Sequence, residues 1–92
     1  MERLTAKRDE GGYEVDAGLI ECGEGTCRGR AIDRLAAYED MQEMLEAQYE
    51  KTAERLEVLK AQGKLKTAQA QQLLAQKLTY SNMLGLIGVH SD

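Results

Sequence analysis

Six glutamates, Glu39, Glu43, Glu46, Glu50, Glu54 and Glu57, are the residues whose type and spacing promise most chemistry. At about 100° per helical residue they fall within roughly 80° of one another, as a single acidic row. Paired carboxylates hold di-metal centres when Glu-x-x-His pairs face a helical core. No histidine accompanies this row, and it lies away from the apolar seam of the same segment, so catalysis is its least favoured use. Like charges at i,i+4 cost roughly 0.2–0.5 kcal/mol per pair, and no lysine or arginine interrupts the row to offset them. Two uses remain: plain hydration of a helix face, or docking on a basic protein groove, including one that normally holds nucleic acid.

The other reactive side chains are sparser. Cys22 and Cys27 flank a glycine-rich turn. Zinc uses such pairs but needs four ligands, so a metal site would require zinc held across a dimer; unligated thiols beside a turn are the plainer alternative. Arg28, Arg30 and Arg34 open a helix whose N-terminal N–H groups already favour an anion. With Tyr13 they would make an anion or nucleotide pocket, although Asp33 is close by and no Gly-rich phosphate fingerprint is present. His90, the single histidine, stands in a terminal Gly88-Val89-His90-Ser91 run with no nucleophile or carboxylate constrained to meet it. No catalytic residue emerges, and the expectation is a protein that is not an enzyme.

The elements that position these residues are mainly helical. The chain has no proline, phenylalanine or tryptophan, so its core is built from Leu, Ala, Met and Tyr, which favours helices over sheets. Residues 1–29 hold six of the nine glycines and read as an N-terminal arm or small β-hairpin, with Tyr13-Glu14-Val15 and Leu19-Ile20-Glu21-Cys22 as its short extended runs. Residues 30–62 form a long acidic helix, with Thr26 a plausible N-cap and Gly63 a C-terminal stop. Its seam is Tyr38, Met41, Leu45, Tyr49, Thr52, Leu56 and Leu59. A turn at 63–66 leads to a second helix over 67–88, capped by Thr67. The connection is short enough to make the helices antiparallel neighbours. The expected fold is thus a long antiparallel helical hairpin behind a glycine-rich arm, one domain in all.

The second helix is apolar on two sides, with Leu73, Tyr80, Met83, Leu84 and Ile87 on one and Ala70, Leu74 and Leu78 on the other. Such a helix lies between two partners: the first helix and, most simply, a second copy of the chain. A homo-oligomer is therefore expected. Charge is uneven: residues 31–62 carry four basic and eight acidic groups, residues 63–92 three basic and one acidic. The net charge of −4 argues against direct binding to nucleic acid or a membrane surface. The start of the chain lacks the apolar core of a signal peptide, and the longest apolar stretch, Met83 to Val89, is far below the roughly 20 residues of a membrane span. A cytoplasmic protein is expected, with its cysteines reduced or metal-bound rather than in a structural disulfide.

Met1-Glu2-Arg3-Leu4-Thr5 and Ile32-Asp33-Arg34-Leu35-Ala36-Ala37-Tyr38-Glu39-Asp40 resemble segments of small accessory proteins of phages and prophages of Gram-positive bacteria. Leu59 to Thr67 and Gln72 to Thr79 are similar to their helical-hairpin part. Together these segments touch about half of the chain. The resemblance implies a phage origin and action in a host bacterial cytoplasm, and no catalytic residue. Combined with the acidic row, it points to an inhibitor of a bacterial defence or host protein, of anti-CRISPR type, with Tyr38 and Tyr49 as aromatic anchors. The alternatives are an oligomeric sponge for a nucleotide second messenger and a phage structural or regulatory assembly factor.

Overall fold

A computed structural model describes residues 2–91; Met1 of the opening motif and Asp92 lie outside them. The order of elements is β1 (Thr5–Lys7), β2 (Tyr13–Val15), a 3-10 turn (Ala17–Leu19), β3 (Glu21–Gly23), β4 (Thr26–Arg28), α1 (Arg30–Ala61) and α2 (Ala68–Ser91). The chain divides into two units, residues 1–39 and 40–92, with α1 contributing to both.

The first unit holds two antiparallel hairpins rather than one. β1 pairs with β2, Thr5 opposite Val15 and Lys7 opposite Tyr13. The expected strand at Tyr13-Glu14-Val15 is therefore real, but its partner is Thr5–Lys7 and not the Leu19–Cys22 run. The bend between them is closed by Arg8 N–H donating to the Gly12 carbonyl at 3.0 Å, with Gly11 and Gly12 at φ of 100° and 79°. β3 pairs with β4 around Glu24 and Gly25, both at positive φ, the signature of a two-residue type I′ turn. Thr26 is thus a strand residue and not a helix cap. Gly29 takes the cap position, its carbonyl accepting the Asp33 N–H at 2.9 Å.

The second unit contains the buried side chains. Leu45, Thr52 and Leu56 of α1 and Ala70 and Leu73 of α2 are buried, and Leu56, Ala70 and Leu73 form one cluster with Leu59 against it. The seam holds from Leu45 to Leu59, whereas Tyr38 and Met41 at its start remain exposed. The end of α1 is a Schellman cap. Lys64 N–H donates to the Leu59 carbonyl at 2.8 Å and Gly63 N–H to that of Lys60 at 3.0 Å, with Gly63 at φ 70°. Thr67 caps α2 as expected: its Oγ1 accepts the Ala70 N–H at 3.2 Å. Residues 62–67 therefore connect the two helices. On α2, Ala70 belongs with Leu73 in the core, while Leu74 and Leu78 face solvent. No helix among the described residues is long and apolar enough to cross a membrane.

Candidate functional site

Glu43, Glu46, Glu50, Glu54 and Glu57 lie on α1 in the second unit and are all exposed. Helical rise places Glu43 and Glu57 about 21 Å apart, with a carboxylate every ~5 Å between them. No lysine or arginine comes within ion-pair distance of any of them among the described residues. Glu46 accepts a hydrogen bond from Gln42 Nε2 at 3.3 Å; that neutral donor leaves the charge in place. Glu39, on the same helix, is exposed in the first unit. Leu45, Thr52 and Leu56 are buried, and Leu56 and Leu59 pack with Ala70 and Leu73 of α2, so the exposed acidic row is on a face that this cluster does not consume. Of the two expected aromatic anchors, Tyr49 is half-buried, with the Lys77 ammonium 5.7 Å from its ring centroid. Tyr38 lies in the first unit and lines a groove there.

That groove has a volume of about 590 Å³ and is lined mainly by Leu4, Val15, Ile20, Ile32, Leu35 and Tyr38. Sequence reasoning missed it. Its signal was the run Ala31, Ile32, Leu35, Tyr38, an apolar stripe at helical spacing that begins before the seam and needs partners from the arm. Apolar side chains dominate its wall, and the polar groups at its edge are Glu2, Arg3, Thr5 and Arg34.

The expected anion pocket is not assembled. Arg30 Nη2 donates to Glu2 Oε2 at 3.1 Å, and Arg34 Nη1 donates to the Glu2 carbonyl. Arg28 pairs with Glu21 across the β3–β4 hairpin at 3.8 Å. Tyr13 lies under the Arg3 guanidinium, 5.5 Å from the ring centroid. Each arginine is therefore engaged inside the first unit; Arg34 lines the apolar groove, and Arg28 lines a cleft beside the β3–β4 turn.

The cysteines overturn an expectation. Cys22 and Cys27 sit directly opposite each other in the β3–β4 register and are joined by a disulfide, Cα atoms 4.0 Å apart. They are neither free thiols nor thiolate ligands in this state, so zinc held across a dimer by these residues has no donors. The reason is local: a two-residue turn at Glu24-Gly25 brings the flanking pairs Gly23–Thr26 and Cys22–Cys27 face to face. Among the described residues no three His, Cys, Asp or Glu side chains gather in a way that would hold a metal ion. Comparison with known proteins found no matching family, no matching curated protein and no matching solved structure.

Proposed function

We propose that this protein is a non-enzymatic inhibitor that binds a bacterial defence or host protein, in the manner of phage anti-CRISPR proteins. Its binding surface is the acidic row of α1, presented by a long antiparallel helical hairpin. The observation that carries this reading is the uncompensated exposure of Glu43, Glu46, Glu50, Glu54 and Glu57 on a face that the hairpin core leaves unused. Two caps support the hairpin, the Schellman turn at Gly63 and the Thr67 hydroxyl, and so does Lys77 of α2 over Tyr49 of α1.

A row of carboxylates fixed on a helix meets a lysine- and arginine-lined groove without rearrangement. Such complementarity speeds encounter and sets register more than it adds affinity. A groove that normally holds nucleic acid already presents cations along one line, so it is the partner surface of matching chemistry. The test is capture from bacterial lysate on immobilised wild-type protein beside a Glu46→Lys/Glu50→Lys/Glu54→Lys variant. The expected result is a nucleic-acid-binding protein retained by the wild type, released by half-molar salt and absent from the variant, whose helical circular dichroism is unchanged. Equal retention by both proteins sinks the proposal.

A further inference from the structure

The outer face of α2 has no partner within the second unit. Leu74 is 43% exposed, Leu78 63%, Leu86 63% and Val89 76%. Leu74, Leu78, Gly85 and Val89 fall within about 60° of one another around the helix, and Leu86 borders them. We propose that this face binds the same face of a second copy of the chain, antiparallel, about a two-fold axis passing between Ser81 and Asn82. The inference does not rest on the acidic row and would stand if that row had no partner.

Three observations select a second copy as the occupant. The first is area. The chain exposes 7586 Å², whereas a compact monomer of its mass exposes roughly 5,300 Å², and two separate compact bodies of the sizes of its units about 6,400 Å². The excess belongs to the whole chain and leaves room for a standard interface of roughly 800 Å² per partner; on this face the large side chains left uncovered are Leu74, Leu78, Leu86 and Val89. The second is charge. Lys77 and His90 are the only basic residues of α2, which has no acidic one, and neither lies among Leu74, Leu78, Gly85 and Val89. A charged partner gains nothing from this face, and two copies meet on it without repulsion; the acidic face of α1 would repel its own copy.

The third is register. An isologous antiparallel contact pairs residues symmetrically about the axis. Centred between Ser81 and Asn82, it sets Leu78 opposite the partner copy's Gly85 and Leu74 opposite the partner copy's Val89. Leu78 thus meets a small residue and Leu74 an apolar one, and Ser81 meets Asn82 in a polar pair that fixes the alignment, as a single buried polar residue does in coiled coils. Gly85 and Gly88 both interrupt α2 with open space around them, and of the two Gly85 lies on this face. Gly85 weakens the helix, its φ is not positive, and a Cβ added there meets nothing within 4 Å in its own chain.

Light scattering and sedimentation equilibrium on the full chain test this. The wild type should weigh twice 10.2 kDa at tens of micromolar. Leu78→Glu should raise the dissociation constant at least about a hundredfold, because the charge is buried twice by symmetry. Gly85→Leu covers the alternative that Leu78→Glu merely unfolds: open space around Gly85 lets the monomer accept it, so it should be more helical yet less dimeric. The pair Leu78→Ala/Gly85→Leu moves the large residue to the other side of the contact and should restore the dimer. A monomeric wild type overturns the proposal. So does a dimer that neither single variant weakens, since its interface would lie elsewhere.

Discussion

Gly29 shows how much one residue decides in the first unit. It lies between the end of β4 and the first residue of α1, at φ 136°, where an added Cβ would stand 2.5 Å from the Leu19 carbonyl oxygen. The glycine is needed twice over, for a backbone conformation that L side chains avoid and for the close approach of two chain segments. Gly29→Ala should destabilise this unit by about 2–4 kcal/mol, seen as faster amide exchange over residues 5–28. Exchange as slow as in the wild type would show that Leu19 does not approach so closely. Glycines with positive φ at Gly11, Gly12 and Gly25 meet open space and need only the conformation. The arginines are the counterpart at this scale. Their position before a helix suggested an anion site, but Glu2 and Glu21 sit on other segments and take up Arg30 and Arg28. Nothing in the linear spacing of the arginines reveals those partners.

The helices were legible from sequence because their signals are local. Gly63 and Thr67 mark the end of α1 and the start of α2, and each makes the hydrogen bonds that such residues make at those positions. The hairpins were less legible. Strands of three residues carry too little pattern to choose a partner, so Tyr13–Val15 was paired in the wrong direction along the chain. The bond between Cys22 and Cys27 is set by a local signal, the turn at Glu24-Gly25 that brings them opposite each other, and not by the cellular compartment that favours reduced thiols. Their disulfide closes a loop of only about six residues, so chain entropy gives it a modest stabilisation, roughly 2 kcal/mol. Cys22→Ser/Cys27→Ser, or reduction of the wild type, should therefore loosen β3 and β4 by about that amount. Chemical shifts of residues 21–28 should move toward disordered values while those of α2, residues 68–91, stay fixed. If the hairpin shifts stay unchanged without the bond, the turn alone holds it.

Charge is the property of the molecule as a whole that neither residue nor element predicts. The net charge is −4, and among the described residues the ion pairs Arg8–Glu10, Arg28–Glu21 and Arg30–Glu2 all lie in the first unit, on solvent-exposed side chains that contribute little to stability. In the second unit the four neighbouring pairs from Glu43 to Glu57 are spaced at i,i+3 or i,i+4, and each repels by roughly 0.2–0.5 kcal/mol at low ionic strength. The sum, about 1–2 kcal/mol, works against folding, because the unfolded chain spreads these charges apart. Salt that shortens the Debye length to a few ångströms removes most of it. Stability should therefore rise with sodium chloride, whereas a fold held by surface ion pairs would lose stability. General effects of salt on apolar burial add to the same trend, so the informative comparison is with Glu50→Gln/Glu54→Gln, which keeps the shape of the helix and removes the two central charges. That variant should start more stable at low salt and gain less on going to half-molar salt, as read by thermal unfolding at the helical circular dichroism band. Parallel salt responses of variant and wild type would mean that the carboxylates do not sense one another, and the acidic row would then exert no field for a partner to meet.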